Sequence, residues 1–128
     1  MTLRIVRLGT PRLPQEGTRI GAVRRPPRGV RKENYARENW YDVWYPELSP
    51  SAGLVARALR AETPKDWTAF TRSFRAEMQA PAASRTLDLL AALSHGADFS
   101  IGCYCADESR CHRSVLRALL QERGAKIG

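Results

Sequence analysis

The sequence predicts an α/β domain: a mostly parallel sheet of about four strands with four to five helices, in two or three layers. Three observations predict it. Short runs with strand character open the chain. Stretches of helical spacing, each with its own start signal, fill the middle. Near the C-terminus a strand-like run, Phe99-Ser100-Ile101-Gly102, leads through a loop into Val115-Leu116-Leu119-Leu120, which has helical spacing. With 128 residues the chain is expected to be one domain, 1–128, large enough for a core without disulfide staples.

In order, Leu3 to Leu8 sets Leu3, Ile5, Val6 and Leu8 against Arg4 and Arg7 and reads as a first strand. Residues 9–17 hold two prolines and two glycines and read as a loop. Thr18 to Val23 reads as a second strand, ended by Pro26-Pro27-Arg28-Gly29. Residues 30–39 are highly charged, a short helix or loop. The aromatic run Trp40 to Tyr45 reads as a short third strand, since aromatic and β-branched side chains suit a pleated surface.

Ser49-Pro50 is a helix-start signal, with Ser as N-cap and Pro in the first helical position; Leu54, Val55, Ala58 and Leu59 form the expected buried face. Thr63-Pro64-Lys65-Asp66 is a second start, with Trp67, Phe70, Phe74 and Met78 on one face. Pro81 opens a third helix striped by Leu87, Leu90 and Leu93, and His95-Gly96 fits its C-terminus, with Gly in the left-handed position. A strand over 98–105 and a helix over about 111–123, capped by Gly124, close the chain.

Composition limits the function classes. No apolar run approaches the ~20 residues of a membrane span, and Met1 to Arg7 lacks a signal-peptide core, so a cytoplasmic protein is expected. The three cysteines are odd in number and clustered, which argues against a secreted disulfide framework and for thiol, metal or core use. The net charge of +8 is uneven: residues 1–39 hold ten Arg or Lys against three Glu, the rest eleven against ten. The excess at 19–37 suggests a phosphate-rich partner, an anionic small molecule or a nucleic acid, or else a solvated arginine-rich loop. The oligomeric state is not legible.

Three segments resemble the domain of unknown function 488 family. Arg24-Arg25-Pro26-Pro27-Arg28-Gly29-Val30-Arg31-Lys32 is similar to that family's Arg-x-x-Pro-Arg-Gly segment with its basic pair. Tyr41-Asp42-Val43-Trp44 through Leu48-Ser49-Pro50-Ser51 is similar to its Trp-x-x-x-Leu-Ser/Ala-Pro-Ser segment, and Trp67-x-x-Phe70 with Phe74 and Glu77-Met78 to its Trp-x-x-Phe helix. The closing Cys-His-Arg resembles the family's cysteine-containing branch. Pro26 stands where the family usually has Trp, and Phe74 where it usually has Tyr. The resemblance covers nearly the whole chain and implies a small cytosolic α/β fold with no established activity.

Chemistry concentrates in Cys103-Tyr104-Cys105-Ala106-Asp107-Glu108-Ser109-Arg110-Cys111-His112-Arg113. Cys103 and Cys105 leave the same face of a strand, and Cys111 and His112 follow on the next turn, so all four are candidate ligands for zinc or iron. Their adjacency argues against joint chelation by Cys111 and His112. Cys105 with Arg110 five residues later has the spacing of a sulfurtransferase loop, which makes Cys105 a candidate nucleophile. The loop lacks glycine, however, and Asp107 and Glu108 would repel an anion. The remaining alternative is that the cysteines are small core residues.

A fourth arrangement spans the chain. If Arg24 and Arg28 end one strand region and Arg110, His112 and Arg113 another, they form a cationic pocket for a phosphate or carboxylate. Asp42 is then its acidic partner or base, with His112 also a catalytic candidate; the aromatic run could stack a base. An anion pocket beside the cysteine cluster is therefore the first functional expectation. A metal-binding redox or regulatory protein is the second, and a nucleic-acid binder using 19–37 the third.

Overall fold

The structure is a computed structural model that describes all 128 residues. Four strands form one parallel sheet in the order β1-β4-β2-β3: β1 Leu3–Arg7, β2 Thr18–Gly21, β3 Val43–Trp44 and β4 Phe99–Cys103. Four helices accompany it: α1 Ala52–Arg60, α2 Pro64–Glu77, α3 Pro81–Leu93 and α4 His112–Glu122. All three long helices before β4 lie in the connection from β3. β4 is central, paired with β1 from Leu3↔Phe99 to Arg7↔Cys103 and with β2 from Thr18↔Phe99 to Gly21↔Gly102. The outer edge of β1 is covered by residues 126–128, whose backbone exchanges hydrogen bonds with Leu3 at 2.9 and 2.8 Å.

Strand alternation divides the sheet into two unlike faces. Leu3, Phe99 and Ile101 point into the main core, where Leu54 of α1, Phe70 and Phe74 of α2, Leu87 of α3 and Leu116 and Leu120 of α4 meet them. The opposite face carries no helix and is covered by loop residues. There Tyr41 lies flat enough on Gly21 that a Cβ at that position would sit 2.4 Å from its ring. Arg19, also on this face, is fully buried: its Nε and Nη2 bond Glu16 at 2.7 and 2.9 Å, and its Nη1 bonds the carbonyls of Thr10 and Asn39. Ser100 of β4 donates to Glu16 at 2.7 Å. Gly17 turns the chain into β2 at φ +75°, and a Cβ there would meet the Asp98 carbonyl at 1.9 Å. The architecture is thus two layers, helices on sheet, with a loop cover.

Several boundaries differ from the sequence expectation. The helix-start Ser49-Pro50 stays extended after a 3-10 turn over Pro46–Leu48, and Ser51 is the N-cap, accepting from the Leu54 amide at 3.4 Å. Of the expected buried face of α1 only Leu54 is fully buried and Leu59 is 84% exposed; Leu93 at the end of α3 is also exposed. Thr63 does cap α2, in a capping box with Asp66. Gly124 is left-handed at φ +80°, but Gly96 is not among the positive-φ residues; His95 ends its helix region by a 2.8 Å contact with the Gly124 carbonyl. The aromatic run yields only two strand residues, because Tyr41 turns inward onto Gly21 and Tyr45 toward α3, where its hydroxyl meets Thr86 at 2.9 Å. No helix is long and apolar enough to cross a membrane.

Candidate functional site

The cysteine cluster forms where β4 ends and α4 begins, at the carboxyl end of the parallel sheet, where such folds place ligands. Cys103 is the last residue of β4 and points to the helix side, as Phe99 and Ile101 do; it is 1% exposed. Cys111 precedes α4 in extended conformation at φ −134°, ψ 149° and is also buried. His112 is the first helical residue. This change of backbone conformation between neighbours brings their side chains together, with Cys111 Sγ 3.8 Å from His112 Nδ1. The ligand atoms of Cys103, Cys111 and His112 all lie within 4.8 Å of one another.

The imidazole is held from two sides. Its Nε2 lies 2.6 Å from the Ala22 carbonyl just past β2. A carbonyl only accepts, so Nε2 carries a proton toward it and Nδ1 is the ring nitrogen that faces the Cys111 thiol. The Phe74 ring packs edge-on against the imidazole at 5.7 Å. Cys105 is exposed and is not one of the three residues whose ligand atoms lie within 4.8 Å of one another. Hydrogen bonding from Cys103 first, then from Cys111, holds the Cys105 thiol well below the ordinary range, with the Arg113 guanidinium adding to the effect. Cys103 shifts the opposite way, through the same contacts and its burial.

The loop between strand and helix is fastened locally. Asp107 accepts from the Ser109 amide and hydroxyl at 3.0 and 2.7 Å. Glu108 makes a two-pronged pair with Arg117 of α4 at 2.6 and 2.8 Å. Arg113 is buried and donates to the Cys105 carbonyl at 2.6 Å. Glu108 is therefore neutralised by Arg117 and does not present a free charge to the cluster.

A cleft of about 330 Å³ opens in front of these residues. Cys103, Cys105, Cys111 and His112 form one wall, and Val55, Trp67 and Phe70 an apolar wall facing it. Arg24, Arg25 and Arg110 stand at its edges. The size falls within the range of small-molecule sites.

The structure brings Cys103, Cys105, Cys111, His112, Arg24 and Arg110 to this cleft. It leaves Arg28 and Asp42 outside it and turns the Arg113 guanidinium back to the Cys105 carbonyl. Arg24 is tied to the backbone, its guanidinium donating to the Pro50 and Ser49 carbonyls at 3.0 Å each. Arg28 lines an adjoining basin. Asp42 lies away from the cluster, paired with Arg12 at 2.7 Å and accepting from the Arg19 amide at 2.8 Å. Burial would raise its carboxyl, but those donors outweigh it and hold it below the usual range. In the 19–37 segment Arg19 is buried and Arg31 pairs loosely with Glu33, which leaves Arg25, Arg28, Lys32 and Arg37 exposed. Sequence reasoning missed the Ala22 carbonyl, placed Arg25 only in the basic 19–37 segment, and took Trp67 for core alone. Position two past Ile20 on a predicted strand was the available signal for Ala22.

A family model described as the active DUF488-N3 subclade, DUF488-N3a, matches residues 3–124. The chain belongs to this family. The match spans every strand and helix of the fold and the whole cysteine cluster. Neither the curated proteins nor the solved structures include a match to the chain.

Proposed function

We propose that this family member binds one thiophilic metal ion, zinc or iron, at Cys103, Cys111 and His112, with Cys105 as the fourth ligand on the cleft side, and that the cleft admits a small molecule to that centre. The observation that carries the reading is the convergence of two buried thiols and an imidazole nitrogen within 4.8 Å. Tetrahedral zinc with sulfur at ~2.3 Å and nitrogen at ~2.0 Å needs S···S near ~3.8 Å and S···N near ~3.5 Å. The observed 3.8 Å between Cys111 Sγ and Nδ1 needs only a small closure. The Ala22 carbonyl supplies the outer hydrogen bond that metal-bound histidines generally make through their other ring nitrogen. The cluster's donor set, sulfur and imidazole without carboxylates, suits zinc or iron over magnesium or calcium. The family description as an active subclade agrees with a chemically competent centre.

Cobalt titration tests this. Metal-free protein is expected to take up one Co²⁺ per chain, giving intense tetrahedral visible bands and a thiolate-to-cobalt band in the near ultraviolet. His112→Gln should weaken uptake by at least tenfold while circular dichroism stays unchanged. Absence of the thiolate band at stoichiometric cobalt would contradict the proposal.

A second reading is favoured by one observation: Cys105 alone of the three cysteines is exposed, and it lines the cleft. In it Cys105 acts as a thiol nucleophile toward a ligand in the cleft. Stoichiometric alkylation of Cys105 with no metal uptake would favour this over the metal centre.

A further inference from the structure

Beside the cleft lies a second concavity of about 560 Å³, lined by Arg7, Arg25, Arg28, Thr10, Trp40 and Tyr104 among others, with no carboxylate in its lining. No carboxylate holds its arginines, in contrast to several others in the chain. Arg12, Arg19, Arg75, Arg117 and Arg123 are each paired with an acidic side chain. Arg7, Arg25 and Arg28 are exposed and have no acidic partner. They converge from two separate chain segments, the end of β1 and the turn beyond β2.

The basin is built rather than incidental. Leu8 and Pro27 in its lining are buried. The Leu8 amide donates to the Cys103 carbonyl and the Gly9 amide to the Asn39 carbonyl, each at 2.8 Å. Trp40 packs on Gly9, where a Cβ would meet its ring at 2.9 Å. The Tyr104 hydroxyl donates to the Arg25 carbonyl at 2.7 Å and so ties the cysteine strand to the arginine turn. Prolines 26 and 27 restrict that turn further. Arg25 and Tyr104 line both the basin and the cysteine cleft, so the two concavities share a wall.

The geometry points to a two-part site for a small phosphate ester: the phosphate sits among Arg7, Arg25 and Arg28, and the organic part reaches over the Arg25–Tyr104 wall into the apolar cleft at the cysteine cluster. This deepens the reading given above by naming the substrate class of that centre. Guanidinium groups match phosphate oxygens in bidentate geometry, and the Val55, Trp67 and Phe70 wall suits an aromatic or aliphatic moiety. A phosphate alone would satisfy only the basin, so a nucleoside monophosphate should bind more tightly than inorganic phosphate.

Calorimetry with adenosine monophosphate and with inorganic phosphate tests the inference on the protein as purified. The monophosphate should bind at least tenfold more tightly than phosphate. Arg7→Gln/Arg28→Gln should weaken it at least tenfold, whereas Arg60→Gln, an exposed arginine on α1, should leave it unchanged. Bound monophosphate should also slow alkylation of Cys105 by iodoacetamide at least threefold, and inorganic phosphate should not. Unchanged affinity in the double variant, equal weakening by Arg60→Gln, or unaltered alkylation with the monophosphate bound would each overturn the inference. So would tight binding of a mixed-sequence single-stranded oligonucleotide with none of the monophosphate. Metal content measured on the same samples separates the two readings: wild type without metal that still shows monophosphate-dependent protection sinks the metal centre alone. Metal-replete protein without monophosphate binding sinks the two-part site alone.

Discussion

The central strand β4 carries a polar cluster on each side, and the two have opposite characters. On the loop-covered face, Ser100 meets the buried pair Glu16–Arg19, in which every guanidinium nitrogen has an acceptor. Around Cys103, on the helix side, sulfur and an imidazole nitrogen face chiefly one another. A satisfied network of charges fixes structure and has no capacity left for a ligand. A group of soft donors with weak mutual hydrogen bonds has capacity to spare. The same strand therefore carries a fastening on one face and, on the other, the group of soft donors proposed above as the functional centre.

The largest expected effect comes from breaking the fastening. Arg19→Met leaves Glu16 buried without its cation and should cost about 3–5 kcal/mol in urea unfolding, while cobalt uptake by the folded fraction stays at wild-type stoichiometry. If Arg19→Met unfolds the protein altogether, Ser100→Ala provides the milder lesion, expected to cost about 1–3 kcal/mol. Unchanged stability in both would remove the contrast between the faces.

Under the proposed metal reading, removing the ion is the corresponding lesion on the other side. A chelator should lower the unfolding free energy by about 3–4 kcal/mol if the free metal stood at a few hundred to a thousand times its dissociation constant. The loss should vanish in His112→Gln, which has no intact site to empty. An equal chelator effect in that variant would place the metal elsewhere.

Acid sharpens the comparison. Burial alone would raise the Glu16 carboxyl, but hydrogen bonds from Arg19 and Ser100 outweigh it and bring it down from 4.5 to about 2. A carboxyl depressed on folding contributes stability that is fully present above its unfolded value and is lost as pH falls through the folded value. Stability should therefore decline between about pH 5 and pH 2, by roughly 3 kcal/mol from this group, as followed by thermal melts across that range. Glu16→Gln should flatten this limb; an unaltered limb would assign acid sensitivity to other carboxylates. The smallest effect serves as a control: Thr63→Ala, which removes the capping box of α2 remote from both clusters, should cost about 1 kcal/mol and leave metal uptake untouched.

How much of this was legible in the sequence follows from how local each signal is. The α2 cap and the Gly124 cap depend on a few adjacent residues, and both were read correctly. The parallel sheet and the strand-loop-helix site also followed from local patterns. Arg19 did not: its partners Glu16, Thr10 and Asn39 come from loops on one covered face, and the same residue in sequence looks like part of a basic surface. Ser49-Pro50 failed as a start signal because Ser51 offers an equivalent cap two residues later, and the chain must first pass along the Arg24 guanidinium. The cysteine window stood out by composition, yet its cohesion rests on Ala22, ninety residues before His112. The separation of Asp42 from the cluster, set by its pair with Arg12, likewise had no local signature.

The most direct test of the account is the metal content of protein purified without chelator or affinity-tag metal, measured by mass spectrometry beside a Cys105→Ser/Cys111→Ser variant of matched circular dichroism. The account predicts close to one zinc or iron per wild-type chain and loss of it in the variant. Wild-type protein that carries no metal and takes up none from micromolar zinc would contradict it.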